Sequence, residues 1–86
     1  MNINELIAIV KKKLKNEIII ENIKIEDKSF LHVGHKGNDK KKFHLKILIN
    51  SKELSKISRI QSNKKIFKIL DQEIKKYIHS LQILIT

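Results

Sequence analysis

Apolar residues recur at helical spacing near the amino terminus of the chain. Five of them have the spacing of one helix face: Ile3, Leu6, Ile7, Val10 and Leu14. Asn2 has capping-box spacing to Glu5, and lysines gather towards the other end of the segment, where the helix dipole favours positive charge. The pattern predicts a first helix over residues 3–15.

Three other stretches favour β-structure. The segment 17–27, EIIIENIKIED, is rich in β-branched isoleucine, and its second half alternates apolar with polar residues. The segments 44–50, HLKILIN, and 79–85, HSLQILI, alternate in the same way. Each stretch is predicted to form one strand.

Helical spacing returns between the second and third strands. The segment 51–58, SKELSKIS, predicts a short helix, and a longer one is predicted from Ser62 or Asn63, both good capping residues, to about Tyr77. The predicted buried side of the longer helix consists of Ile66, Ile69, Leu70, Ile74 and Tyr77. Phe67 is also expected in or near the core.

The order of these elements is α-β-β-α-α-β, which predicts an α+β fold. A three-stranded mixed sheet carries the helices on one face, and the other face stays partly open. Eighty-six residues suffice for one domain, residues 1–86, with a single core.

Lysine dominates the composition. The net charge is +10, which suits a nucleic-acid partner, yet Arg59 alone among the 19 basic residues is an arginine, the side chain that reads bases best. An AT-rich codon pool explains the lysine and isoleucine equally well. There is no cysteine, no apolar run long enough to cross a membrane and no signal-peptide pattern, so a cytoplasmic protein that does not enter membranes is expected.

The polar segment 27–42 contains two of the four histidines and both glycines. His32 and His35 have the spacing of a metal-binding pair, although two histidines in a loop are more often solvated. The stretch 34–37, GHKG, matches a phosphate-clamping G-x-x-G, but it lies between strands and not between helices, which favours a turn. Asp27 and Ser29 are expected to fix the start of the loop by local hydrogen bonds. His44 is expected to form hydrogen bonds at the rim of the sheet, and His79 to pack and bond locally.

Four stretches in order resemble the BolA family, whose fold is akin to the class II KH domain. DKSFLHVGHKG (27–37) is similar to the family's D-x-S-x-L-H-x-G-H-x-G loop, and HLKILINSKEL (44–54) to its second strand. SNKKIFKILDQEI (62–74) occupies the place of its R-H-R helix start, and IHSLQI (78–83) resembles its closing I-H-A-L. These stretches cover most of the chain.

The resemblance implies a partner protein of a monothiol glutaredoxin. The two proteins share a two-iron, two-sulfur (2Fe-2S) cluster, for which the glutaredoxin and glutathione supply sulfur. The BolA-like protein supplies a residue of the loop, here His32 or His35, and the histidine of R-H-R. Asn63 stands at that second position, and an amide is a poor ligand for iron in such a cluster. The cluster is then held less firmly, or another histidine substitutes, or glutaredoxin binds without sharing iron.

No nucleophile and base occur in a catalytic motif, so an enzyme is not expected. The resemblance also implies an alternative function, a DNA-binding transcriptional regulator. A basic surface for a partner or for nucleic acid is predicted around the start of the second long helix, from Arg59, Lys64, Lys65 and Lys68. The free protein is expected to be a monomer.

Overall fold

The computed structural model describes residues 1–29 and 42–86, and the first helix is the longest element in these ranges. Helix α1 spans Ile3–Glu17. Asn2 caps it as predicted, since its Oδ1 accepts a hydrogen bond of 2.8 Å from the Glu5 N–H. The helix ends two residues beyond the predicted end, and the N–H of the next residue, Ile18, still bonds to the Leu14 carbonyl.

Three strands form one sheet in the order β1-β2-β3: β1 (Asn22–Asp27), β2 (Phe43–Asn50) and β3 (Ile78–Ile85). β1 is antiparallel to β2, and β3 is parallel to it. The prediction of a three-stranded mixed sheet in an α+β fold is confirmed. The first strand begins at Asn22, later than predicted, because the isoleucines before it complete the end of α1 and the turn that follows.

Three helices connect β2 to β3: α2 (Lys52–Ser55), α3 (Arg59–Ile69) and α4 (Asp71–Lys76). The predicted single long helix is wrong in two respects. Helix α3 begins earlier, because Ser58 and Gln61 form a capping box. It also bends at Leu70, after which Glu73 is buried and accepts a hydrogen bond of 2.7 Å from Lys13 of α1.

The core lies between the helices and one face of the sheet. Side chains on that face of β2 are almost completely buried, with Leu45, Ile47 and Ile49 exposed by 2%, 0% and 1%. The buried helix residues that meet them include Leu6, Val10, Leu14, Ile66 and Leu70. Phe67 is not in the core as expected: it is 41% exposed, because it lies on the side of α3 that faces away from the sheet.

Alternation along the strands places polar side chains on the other face. By register, this open face carries His44, Lys46 and Leu48 of β2 beside Ser80, Gln82 and Leu84 of β3. Lys24 and Glu26 of β1 complete it. Leu84 is 41% exposed. No helix in residues 1–29 and 42–86 is long and apolar enough to span a membrane.

Candidate metal-ligand site

Two histidines meet where β2 and β3 begin. The ring centroids of His44 and His79 lie 4.9 Å apart, with the ring planes inclined at 56°. His44 is buried, only 4% exposed, whereas His79 is exposed. Of the two imidazoles, that of His79 is therefore the one that solvent or a partner can reach.

An irregularity in the sheet produces this arrangement. Phe43 pairs with Ile78, but the next residue of β2, His44, pairs with Ser80. His79 is thus the extra residue of a β-bulge. A bulge redirects the side chain of the extra residue and is common next to functional sites.

Polar contacts hold His44 in place behind His79. Its Nδ1 lies 2.7 Å from the Ser80 Oγ, within hydrogen-bond distance. Its backbone N–H donates to the Ser29 Oγ at 3.0 Å, and its carbonyl accepts from the Lys28 N–H at 2.7 Å. The prediction that His44 forms hydrogen bonds at the rim of the sheet is confirmed.

β1 ends and β2 begins at this same end of the sheet, so the segment 28–42 is attached here at both of its ends. Ser29 is fixed at its start, because its N–H donates to Asp27 Oδ1 at 2.9 Å while its hydroxyl accepts from His44. This confirms the roles predicted for Asp27 and Ser29. His32 and His35 themselves lie outside the described residues.

Acidic and basic side chains alternate beside the histidines on the open face. Glu26 accepts a hydrogen bond of 2.8 Å from Lys28, and that bond lowers the pKa of the Glu26 carboxyl below its ordinary value. Partial burial raises this pKa by less than the Lys28 hydrogen bond lowers it, and the charges of Lys28, Lys24 and Lys46 each lower it by a smaller amount. The surroundings of the site therefore contain a deprotonated glutamate among three lysines at neutral pH.

Asn63 lies near the opposite end of the sheet. It follows Ser62, whose hydroxyl donates to the Leu54 carbonyl at 3.2 Å, and Ser62 and Arg59 line a cavity that also includes Ile85 and Thr86. Along β2, the step from His44 to Ile49, which pairs with Ile85, is about 17 Å at the rise of an extended strand. The structure therefore does not bring Asn63 together with the ends of the loop.

The Asn63 side chain is only partly buried, but its Oδ1 is shielded from solvent and has no hydrogen-bond partner in the described part of the chain. A buried acceptor of this kind destabilises the fold, typically by about 1–3 kcal/mol. The oxygen is also enclosed by protein and so is poorly placed to reach a partner.

The four predicted basic residues are all exposed on α3, and the cavities beside this helix are lined by different members of the set. Lys65 and Lys68 line a groove of about 560 Å³ with Lys13 of α1, and Lys65 also bonds to Glu53 at 3.1 Å. Arg59 lines the separate cavity at the end of β3. Lys64 lies on the outward side of α3, one helical turn after Ile60.

Two exposed apolar side chains share that outward side of α3. Ile60 is 69% exposed and Phe67 is 41% exposed, and helical spacing places Lys64 between them. Exposed apolar side chains that lie close together are typical of surfaces that contact proteins. A surface that contacts only phosphates does not need them.

The donor set of the described residues cannot enclose a metal ion. Within residues 1–29 and 42–86, no three or more histidine, cysteine, aspartate or glutamate side chains are placed to hold one. The chain has no cysteine at any position. What the site offers is one accessible imidazole, a single ligand that needs others from elsewhere. The sequence signal for it was the I-H-S-L stretch, but the bulge that exposes His79 arises only on pairing with β2.

Comparison with known proteins gives one family. A model of the family described as "BolA-like protein" matches residues 14–86. The chain is 29% identical over 73 residues to the "DNA-binding transcriptional regulator BolA" of Haemophilus influenzae, covering 85% of this chain and 68% of that protein.

Solved structures agree in fold. The BolA domain of SufE1 from Arabidopsis thaliana superposes with a TM-score of 0.77 at 26% identity, covering 92% of this chain and 87% of that one. BolA1 from the same plant superposes with a TM-score of 0.78 at 22% identity, covering 93% and 88%.

Proposed function

Because this chain belongs to the BolA-like protein family, we propose that it is a non-enzymatic partner of a monothiol glutaredoxin in the assembly, trafficking or sensing of 2Fe-2S clusters. The observation that carries this proposal is the exposed imidazole of His79, presented by a β-bulge at the end of the sheet where the histidine-containing loop begins and ends.

The donor chemistry supports a shared cluster better than a resident one. Iron in such clusters accepts imidazole nitrogen as well as thiolate sulfur, and histidine ligation raises the reduction potential. A chain with no cysteine cannot supply a thiolate, so the thiolate ligands must come from a partner such as glutaredoxin with glutathione, and imidazole is what this chain would contribute. The cluster itself supplies one-electron redox chemistry when it is bound.

His79 is the histidine that we assign in place of Asn63 as the second ligand, with His32 or His35 as the first. His79 is exposed and lies beside Ser80 and His44, at the sheet end from which the loop departs. Asn63 has its amide oxygen enclosed and follows Ser62, which lines the cavity at the opposite end of β3. His44 supports this assignment indirectly, because it holds Ser29 and Ser80 at the same place.

Visible circular dichroism of the cluster tests this proposal. The protein is mixed with a cluster-loaded monothiol glutaredoxin and glutathione, and the spectrum is compared with that of glutaredoxin alone. We expect a changed spectrum with the wild type and with Asn63→Ala, and a loss of the change with His79→Ala. His32→Ala and His35→Ala identify the ligand in the loop.

Folding is checked for each variant by far-ultraviolet circular dichroism, so that a loss of signal is not confused with unfolding. An unchanged cluster spectrum together with no complex on a sizing column would contradict the proposal. A complex that forms with His79→Ala but leaves the cluster spectrum unchanged would support docking and place His79 at the iron.

A second function, binding to DNA, is favoured by a specific observation. A relative that matches 85% of this chain is named as a DNA-binding transcriptional regulator. Helix α3 contains four cations and no acidic residue, and Lys64 is exposed on its outward side. These features would supply phosphate contacts.

Fluorescence anisotropy with labelled duplexes at several salt concentrations tests this second function. If α3 contacts the backbone, Lys64→Gln reduces the slope of log affinity against log salt by about one. Lys75→Gln, which removes an exposed lysine from α4, is the matched control and leaves the slope less affected. Equal slopes for both variants would show that only the net charge attracts DNA.

A further inference from the structure

The two edges of the sheet differ in charge. β1 has charged side chains at three of its six positions, Lys24, Glu26 and Asp27. β3 has none in eight residues, although charged residues make up 33% of the chain. Proteins commonly protect a free edge with charges, lysine above all, because an unprotected edge pairs with other strands. One edge of this sheet is protected in that way and the other is not.

The backbone groups along the outer side of the unprotected edge have no partner strand within residues 1–29 and 42–86. Thr86 donates its N–H to the Ile49 carbonyl at 2.8 Å, so even-numbered residues of regular β3 direct their backbone groups towards β2. Backbone groups alternate in direction along a strand, so Leu81, Ile83 and Ile85 direct theirs to the outer edge. No strand in residues 1–29 and 42–86 pairs with that edge.

The same three residues also have incompletely covered side chains. Leu81, Ile83 and Ile85 lie on the core face but are only partly buried, whereas their neighbours Leu45, Ile47 and Ile49 on β2 are 0–2% exposed. A further strand beside β3 would cover them. Within the described residues, the edge therefore combines hydrogen-bonding groups that no strand pairs with and apolar surface that is still in contact with water.

In contrast to the monomer that the sequence predicts, we propose that β3 is a self-association edge, which pairs antiparallel with β3 of a second copy of this chain about a two-fold axis at Gln82. In that register Leu81 of each copy is hydrogen-bonded to Ile83 of the other, and Gln82 meets Gln82 at a non-hydrogen-bonded position. Side chains of like character fall on the same face, so the two cores become continuous across a six-stranded sheet.

A second copy is the occupant that this edge fits because the edge is complementary to itself. Two β3 strands have no charged residue, so they meet without like charges in direct opposition in any register, whereas two β1 strands avoid such opposition only in particular registers. Pairing about a two-fold axis uses each β3 edge once and leaves only the charged β1 edges outside, so association stops at a dimer.

The net charge gives this association a characteristic dependence on salt. Each copy has a charge of +10, so the two copies repel one another and the dimer is weak at low ionic strength. Salt screens that repulsion and strengthens the dimer. Binding to DNA or to an acidic partner would respond to salt in the opposite direction.

Sedimentation equilibrium over a range of protein concentrations tests the proposal, at about 50 mM and about 500 mM NaCl, where the screening length differs several-fold. We expect the mass to rise from 10.1 kDa towards twice that value with concentration, at lower concentrations in the higher salt. Gln82→Lys should weaken association by about tenfold or more, because two lysines would meet at the axis.

Asn22→Lys is the matched control, since it adds the same charge at an exposed position of the opposite edge. It should leave association within about twofold of the wild type, because the screened repulsion it adds is small. A mass of 10.1 kDa under all conditions would overturn self-association and leave the edge to a strand of another protein. Equal weakening by the two lysine variants would also overturn it.

Cross-linking tests the register. The chain has no cysteine, so Gln82→Cys introduces the only thiol. At a non-hydrogen-bonded antiparallel pair the Cα atoms are about 4.5 Å apart, which a disulfide can span. Mild oxidation should give a covalent dimer with Gln82→Cys and little with Asn22→Cys. Equal cross-linking of the two variants would contradict the proposed axis.

Discussion

At the scale of single residues, His44 shows how a polar side chain is kept within the sheet. Its imidazole is 4% exposed and lies 2.7 Å from the Ser80 hydroxyl. A buried polar atom that loses its hydrogen-bond partner lowers the free energy of unfolding by more than an average hydrogen bond contributes, so the contact between His44 and Ser80 is important for stability. The contact also fixes the register of β2 and β3 next to the bulge.

Removing that hydroxyl tests its contribution. Ser80→Ala should lower the free energy of unfolding by about 1–2 kcal/mol, because His44 Nδ1 loses its partner in a buried position. Urea denaturation followed by circular dichroism measures the change. Ser55→Ala, which removes an exposed hydroxyl that bonds to the Lys52 carbonyl, should cost less. Equal losses in the two variants would contradict this account.

The Glu53 carboxylate accepts hydrogen bonds from two distant parts of the chain, and these bonds lower its pKa. A hydrogen bond from Lys65 lowers its pKa most, and one from the Ile19 backbone N–H lowers it further. A carboxyl whose pKa is lower in the folded state stabilises the fold above its ordinary pKa, near 4.5, and this contribution disappears as the pH falls through the folded value.

The urea midpoint measured between neutral pH and about pH 3 checks this linkage. Because an amide side chain does not titrate in this range, the midpoint of Glu53→Gln should fall less steeply with acid than that of the wild type. Lys65→Gln, which removes the largest cause of the shift, should flatten the curve in part. Parallel acid limbs in all three proteins would contradict the role assigned to Glu53.

At the scale of elements, the start of α3 depends on a local motif. The Ser58 hydroxyl accepts from the Gln61 N–H at 3.1 Å, and the Gln61 side chain accepts from the Ser58 N–H at 3.3 Å. Ser58→Ala should lower the free energy of unfolding by about 1 kcal/mol, and Ser58→Asp should retain most of it, because aspartate also caps helices. Thermal unfolding measures both. An alanine variant as stable as the aspartate variant would show that tertiary packing alone fixes the helix start.

The elements also show which parts of the fold the sequence could predict. The alternation of β2 predicted its buried residues correctly, because one face packs on helices and the other does not. Ser58 and Gln61 have the spacing of a capping box, but Ser62 and Asn63 are equally good capping residues, so the sequence alone does not decide where the helix begins. The bend at Leu70 involves neither glycine nor proline, so no local pattern indicated it.

The site was less predictable than the fold, because its geometry depends on tertiary pairing that no local sequence pattern indicates. The His79 bulge results from pairing residues far apart in the chain, which leaves no trace in the alternation of HSLQILI. The resemblance directed attention to Asn63, whereas the exposed imidazole lies at the other end of the sheet. Family membership was predictable from four short motifs. Only the structure shows that the motif with Asn63 and the motif with His79 place these two residues at opposite ends of the sheet.

At the scale of the whole molecule, electrostatic repulsion opposes compactness. The net charge is +10 on 86 residues, and the ion pairs found in residues 1–29 and 42–86 neutralise only a minority of the lysines. Adding NaCl up to about 0.3 M should therefore raise the urea midpoint, because salt screens repulsion that is stronger in the folded state.

The urea midpoint of Gln82→Lys should be measured over the same range of NaCl as a control for self-association. This variant should show the same rise while it stays monomeric, which separates the screening of charge within one copy from salt-driven pairing of two copies. A midpoint that stays constant or falls with NaCl would show that the lysines are too far apart in the fold to repel measurably.

The position of β2 between an antiparallel and a parallel neighbour has a consequence for the order of folding. The hairpin of β1 and β2 closes one loop, whereas contacts such as His44 to Ser80 connect residues 36 positions apart, with three helices between them in the sequence. Closing the longer loop costs more entropy before any contact compensates for it. The hairpin therefore closes the shorter loop, and the pairing of β3 with β2 is the step that creates the bulge at His79. Until that step is complete, no copy of the chain presents its candidate ligand.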